Sequence, residues 1–75
     1  MTSANYKEEI KTKWTGNTLE FYGYKFRIIE RPNAYHIDVM RNGKWRAVGN
    51  YRLREWAMYY APIHYLRKLG IINPE

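Results

Sequence analysis

The chain has 75 residues, no cysteine, and 13 lysine and arginine residues against seven acidic ones, a net charge of +6. This length predicts a single domain over residues 1–75, and because so short a chain buries only about 60% of its unfolded surface, nearly every apolar side chain is needed. The lack of cysteine excludes a disulfide framework and thiolate metal sites. The start MTSANYKEEI has no apolar run, so we expect no signal peptide, no membrane span and a cytoplasmic protein.

Residues 5–14 have the spacing of a short N-terminal helix. Tyr6, Ile10 and Trp14 recur every four residues, which places them on one helical face. A helix of about ten residues is marginal in isolation and needs tertiary support. Residues 1–4 should fray.

Alternating apolar and polar residues then predict strands, separated by turn signals. Asn42-Gly43 is typical of a type I′ hairpin turn, and Pro32-Asn33 predicts a second tight turn. The segment around Gly23 is compatible with two interpretations. It could form a two-residue turn at Tyr22-Gly23 between short strands, or Gly23 could be a bulge in one long strand. The sheet is therefore predicted to be an antiparallel meander of three or four strands.

Two-residue turns fix a register in which Met40 lies opposite Trp45 and Ile37 lies opposite Val48. One face of the sheet should then be core and the other open, since a slip of one residue would expose the apolar set. The predicted core face carries Phe26, Ile28, Ile37, Val39 and Val48. The opposite face carries Lys25, Arg27, Ile29, His36, Asp38, Met40, Trp45 and Ala47.

From Leu53 the apolar spacing becomes helical, through Trp56, Ala57 and Tyr60. Pro62 removes a backbone donor and crowds the preceding turn, so we expect the helix to kink or break there. The predicted fold class is α+β: the antiparallel meander, one face packed by a C-terminal helix kinked or broken at Pro62, and the possible short N-terminal helix.

The sequence offers little for catalysis. His36 and His64 have no carboxylate or second imidazole at ligand spacing, which argues against a metal site. His36 and Asp38 share a strand face and could form a general-base pair, but the only serine is Ser3, near the N-terminus. We therefore expect a non-enzymatic protein without a cofactor or metal.

Basic residues concentrate between Arg41 and Arg54, a stretch without an acidic residue. Cations beside an aromatic ring are typical of a nucleic-acid surface, where they neutralise phosphates while the ring stacks. We therefore predict a small domain that binds nucleic acid through the open sheet face, with duplex DNA as the favoured ligand. The predicted contact residues are Lys25, Arg27, Arg41, Lys44, Trp45, Arg46, Arg52 and Arg54.

The stretch WRAVGNYRLREWAMYY resembles two related DNA-binding groups: the ethylene-response-factor domain of plants and the arm-binding domain of tyrosine integrases. Both show a Trp in the last strand, then Gly, an aromatic residue, and a helix rich in Glu and Ala. The matching residues here are Trp45, Gly49, Tyr51, Glu55 and Ala57. The resemblance implies a sheet lying in the major groove, with contacts from Arg27, Arg41, Lys44, Trp45 and Arg46. The order of elements is also similar to that of double-stranded-RNA-binding domains.

Three other interpretations of the aromatic and basic surface remain open. Trp45 could lie beneath the N-terminal segment with Ile10 and Trp14, as a second small core. Alternatively, the chain could be a virus-encoded inhibitor or adaptor that binds an acidic surface of a host protein complex, since Tyr, Trp and Arg dominate interface hot spots. A homodimer that hides Trp45 is a further possibility.

Overall fold

The computed structural model describes residues 3–72, and the side chains of residues 6–72. The chain forms, in order, α1 (Ser3–Lys13), β1 (Trp14–Thr15), β2 (Thr18–Phe21), β3 (Tyr24–Arg31), β4 (Ala34–Arg41), β5 (Lys44–Tyr51) and α2 (Arg54–Lys68). All strands belong to one antiparallel meander in the order β1-β2-β3-β4-β5. The α+β class and the antiparallel meander are therefore as predicted. No helix within residues 3–72 is both long and apolar enough to cross a membrane.

The sheet has five strands, where the sequence predicted three or four. The additional strand is β1, whose Trp14 was predicted to end the N-terminal helix. Gly16 has φ +61°, as the first central residue of a type II′ hairpin turn requires. The chain therefore reverses there, so that Thr15 pairs with Thr18 and Trp14 with Leu19. Residues 1–4 were predicted to fray. Residues 1 and 2 lie outside the described residues, whereas residues 3 and 4 belong to α1.

The β2–β3 and β4–β5 hairpin turns have the same backbone geometry. Both residues of each turn have positive φ. The angles are +53° and +80° at Tyr22-Gly23, and +51° and +79° at Asn42-Gly43. This is the type I′ pattern, so Gly23 is part of a turn and not a bulge. A tyrosine at positive φ is strained. The Tyr22 ring makes edge contacts with Phe21 and Tyr6, at centroid distances of 4.7 and 6.4 Å, which offset that strain.

The predicted register is confirmed across β3 and β4, where Phe26 pairs with Val39, and at Met40–Trp45 in the last hairpin. The predicted Ile37–Val48 pair is wrong. A β-bulge shifts the register between Ile37 and Asp38, so that Ile37 lies opposite Gly49.

The bulge has a simple packing reason. Val48 and Tyr51 are three positions apart, so a regular strand would direct their side chains to opposite faces. The extra residue restores a common direction, and both side chains pack against the core.

Both helices cover one face of the sheet. Ile10 of α1 and Ala57, Ala61 and Leu66 of α2 are fully buried. The predicted core residues of β3 and β4 are buried too, at 0–4% exposure: Phe26, Ile28, Ile37 and Val39. The opposite face is called the open face below.

The helix α2 runs without interruption from Arg54 to Lys68 with Pro62 inside it, so the predicted kink or break at Pro62 is wrong. A proline lacks the N–H that would bond to the carbonyl four residues earlier, here that of Met58. The indole Nε1 of Trp14 donates a hydrogen bond to this carbonyl oxygen at 3.1 Å. A side chain of β1 thus supplies the donor that Pro62 removes.

Candidate nucleic-acid interface

The N-terminal segment does not cover Trp45. Ile10 is buried in the core beneath the helices, and Trp14 bonds to α2, on the far side of the sheet from Trp45. Among the described residues, no element packs over the open face, where Lys25 and Ala47 are exposed. The second small core proposed for Trp45, Ile10 and Trp14 is therefore wrong.

The centre of the open face is an arginine stacked on a tryptophan. The Arg27 guanidinium carbon Cζ lies 4.3 Å from the centroid of the Trp45 ring, within the range of a cation–π contact. Arg27 Nε also donates to Asp38 Oδ2 at 2.9 Å. Arg27 pairs directly with Asp38 across β3 and β4, so the strand register positions both contacts. Trp45 is consequently half-buried by Arg27 and not by a helix.

Asp38 belongs to a polar network that crosses three strands. Its Oδ1 lies 2.6 Å from His36 Nε2, and His36 Nδ1 lies 2.9 Å from Asn50 Oδ1. His36 and Asp38 therefore do meet, as their shared strand face predicted. In this network the carboxylate fixes the orientation of Arg27.

The structure separates the predicted cations. Arg46 lies directly opposite the buried Val39, so it projects toward the helix side of the sheet. Arg41 pairs with Lys44, and Arg41 Nη1 donates to the hydroxyl of Tyr65 in α2 at 3.2 Å. Only Lys25 and Arg27 of the predicted cations therefore share the open face with Trp45. Arg41, Lys44 and Arg46 line the β4–β5 hairpin on its helix side.

Arg52 and Arg54 lie at the opposite end of β5 from the β4–β5 turn. Arg52 is exposed in the connection to α2. Arg54 Nη2 donates to Asn17 Oδ1 at 2.9 Å, which ties the start of α2 to the β1–β2 turn. The structure does not bring these two arginines together with Trp45.

Sequence reasoning missed two basic residues at the margins of the open face. Lys13 lines a shallow depression of about 300 Å³ together with Thr15, Thr18, Glu20 and Lys25. Arg31 follows Arg27 and Ile29 at strand spacing in β3, so it lies on the open face too. Arg31 could have been found from this alternation, whereas Lys13 required knowledge of β1.

A second surface was missed on the helix side. Leu53, Trp56 and Tyr60 are 50%, 44% and 44% exposed, although their helical spacing suggested a core face. The ring of His64 stacks on that of Tyr60, with centroids 6.1 Å apart and an interplanar angle of 13°. We call these four residues the α2 ridge. The buried residues of α2 are Ala57, Ala61, Pro62, Ile63 and Leu66, and the two alanines allow the helix a close approach to the sheet.

A groove of about 270 Å³ separates α2 from β5, next to the ridge. It is lined by Ala47, Val48, Tyr51, His64, Tyr65 and Lys68. Burial raises the pKa of Tyr51 above its usual value. The groove and the ridge meet at His64.

The described residues contain no group of three or more metal-ligating side chains that could hold an ion. Comparisons with models of known protein families, with curated proteins and with solved structures give no significant match for this chain. The fold defines the class: a small α+β domain with a five-stranded antiparallel sheet that has both helices on one face. The resemblance to the ethylene-response-factor and integrase arm-binding domains stays a prediction.

Proposed function

We propose that this chain is a non-enzymatic domain that binds nucleic acid, with duplex DNA as its ligand, through the open face of the sheet. The observation that carries the proposal is the pair formed by Arg27 and Trp45, stacked 4.3 Å apart on a face that no described element covers. Lys25 and Arg31 extend the same face along β3. Such a combination of cations and a ring suits a phosphate backbone and the groups beside it.

Arg27 is held in position before any ligand arrives. Its Nε is bonded to Asp38 and its plane rests on Trp45, while the terminal nitrogens Nη1 and Nη2 have no acceptor among the described residues. These two nitrogens can donate to phosphate oxygens or to the acceptor edge of guanine. Because the side chain is already ordered, binding costs less conformational entropy than it would for a free arginine.

The dimensions of the sheet favour a duplex. The three long strands β3, β4 and β5 span about 10 Å at the usual strand spacing, and the major groove of B-DNA is about 12 Å wide. Lys44 and Arg46 lie on β5 at one edge of the sheet, and Lys13 lies next to β1 at the opposite edge. With the open face toward the floor of the groove, Lys44 and Arg46 would reach a phosphate wall only around the edge of β5, because their side chains project toward the helix side.

Fluorescence anisotropy with a labelled random-sequence duplex at about 50 mM salt tests the proposal. We expect binding that weakens steeply as salt increases, and that is at least tenfold weaker for Trp45→Ala and for Arg27→Ala. The matched control is Trp56→Ala, which removes an exposed tryptophan from the opposite side of the molecule and should leave the affinity unchanged. Absence of binding by the wild-type protein, or equal losses in all three variants, would refute the proposal.

A further inference from the structure

The α2 ridge has no assigned role in DNA binding. Leu53, Trp56 and Tyr60 occupy positions i, i+3 and i+7, and His64 continues the row one turn later. The helix begins at Arg54, so the row extends from its N-cap residue Leu53 almost to its C-terminal turn. All four side chains are exposed. Anchors at this spacing are what a helix presents when it packs against an apolar partner.

Exposure of these side chains is costly in so small a protein. A chain of 75 residues needs nearly all its apolar groups for its core, yet Leu53, Trp56 and Tyr60 remain 44–50% exposed on one stripe. Single exposed apolar residues are ordinary, but a contiguous apolar row marks an interaction site. Trp and Tyr are also the residue types that dominate interface hot spots.

Charge along the ridge is of one sign. Arg52 precedes it, and Lys68 follows His64 by one helical turn. The acidic residue Glu55 is one position before Trp56 and points about 100° away around the helix. An apolar row bordered by cations at both ends complements a segment with apolar side chains flanked by carboxylates. Electrostatic complementarity of this kind favours encounter and rejects basic competitors.

We propose that the α2 ridge and the adjoining groove bind an acidic amphipathic segment of another protein. Its apolar side chains pack on Trp56 and Tyr60, and its carboxylates lie against Lys68 and the groove lined by His64. The site lies on the opposite side of the sheet from Trp45 and is independent of DNA binding. A second copy of this chain is a poor occupant, because each copy carries a charge of +6 and cations border the ridge at both ends.

The test uses a displayed library of random peptides as the probe, selected on the wild-type protein after depletion on Trp56→Ala/Tyr60→Ala. We expect the enriched peptides to be acidic and amphipathic. The dissociation constants of the synthetic peptides should rise at least tenfold, about 1.4 kcal/mol, for the double variant. Lys68→Glu, which leaves the aromatic rings in place, should weaken binding to a similar extent. The controls are Ile71→Ala and Lys11→Glu, which alter an exposed apolar residue and a cation outside the ridge.

Three results would overturn the proposal. The first is that no peptide is enriched, and the second is that the enriched peptides lack acidic residues. The third is that the ridge variants, with wild-type circular dichroism, bind the peptides with unchanged affinity. A wild-type dimer in sedimentation that Trp56→Ala/Tyr60→Ala converts to a monomer would assign the ridge to a second copy. A tenfold loss of duplex affinity in Trp56→Ala/Tyr60→Ala would instead assign the α2 ridge to nucleic-acid binding. Failure of the wild-type protein to bind duplex would refute only the proposed DNA-binding function.

Discussion

Trp14 supports the C-terminal helix at the one position where that helix lacks a backbone donor. Its indole N–H bonds to the Met58 carbonyl at 3.1 Å, because Pro62 has no N–H for that oxygen. A buried acceptor left without its partner costs about 1–3 kcal/mol. This contact joins β1 to α2, two elements that are far apart in sequence.

We expect Trp14→Phe to lower the free energy of unfolding by about 1–3 kcal/mol, since the Met58 carbonyl loses its donor. Adding Pro62→Ala should recover part of this loss, because the alanine N–H can bond to the same carbonyl. Urea unfolding of the two single variants and the double variant gives the coupling energy. Additive effects of the two substitutions would contradict the account.

Asp38 and Glu20 are both acidic residues of the open face, but their surroundings differ. Asp38 is 6% exposed and bonds to Arg27 and His36, whereas Glu20 is exposed. Removal of either charge should favour DNA binding by simple electrostatics. Asp38, however, also holds Arg27 in its orientation on Trp45.

We therefore expect Glu20→Ala to strengthen duplex binding slightly and Asp38→Ala to weaken it. Asp38→Ala should also lower the free energy of unfolding by about 1 kcal/mol, because the partly exposed side chains of Arg27 and His36 lose a hydrogen-bond partner. Anisotropy titrations at a temperature where both variants are fully folded provide the comparison. Stronger binding by both variants would show that orientation of Arg27 by Asp38 is unimportant.

At the scale of the element, α2 begins without a side-chain cap. The N-cap residue Leu53 has an extended backbone, φ −110° and ψ 139°, and makes no capping hydrogen bond. This backbone geometry is the one that suits Asp or Ser at an N-cap. An apolar residue thus occupies the N-cap position at the start of the α2 ridge.

Leu53→Asp should raise the free energy of unfolding by about 1 kcal/mol. The carboxylate can accept a hydrogen bond from a backbone N–H of the first turn, and it interacts favourably with the positive end of the helix dipole. Leu69→Asp is the matched control: Leu69 is the C-cap residue and is partly exposed, so a carboxylate there should destabilise the helix. Denaturant unfolding of both variants provides the measurement. An equal effect of the two substitutions would mean that capping and the dipole do not limit α2.

At the scale of the whole molecule, the net charge of +6 is distributed over both sides of the sheet. If the β4–β5 hairpin contacts phosphates, Lys44→Ala/Arg46→Ala should reduce the slope of log affinity against log salt by up to about 1.8, or about 0.9 for each lost contact. Lys7→Ala/Lys11→Ala in α1 also lowers the net charge by two, from +6 to +4, and should change the slope less. Equal changes in slope would indicate a general effect of charge.

Features that depend on neighbouring residues could be predicted from the amino-acid sequence. Asn42-Gly43 fixed the last hairpin because few residue pairs adopt two positive φ angles, and the alternation in β3 and β4 then assigned Phe26 and Val39 to the core. The same local pairing brought Arg27 to Asp38 and Trp45 to Met40. The central pair of the candidate site therefore follows from local information.

Other features depend on contacts between distant parts of the chain and could not be predicted from local patterns. Helical spacing could not distinguish Trp56 from Ala57, because the close packing of α2 on the sheet selects the small side chain. The bulge at Val48 arises because Tyr51 must reach the same core. Pro62 remains within a continuous helix because an indole from β1 replaces the missing donor. Local patterns specify turns and strand pairs, whereas only the assembled core selects the side chains that it buries and supplies hydrogen-bond partners across long sequence separations.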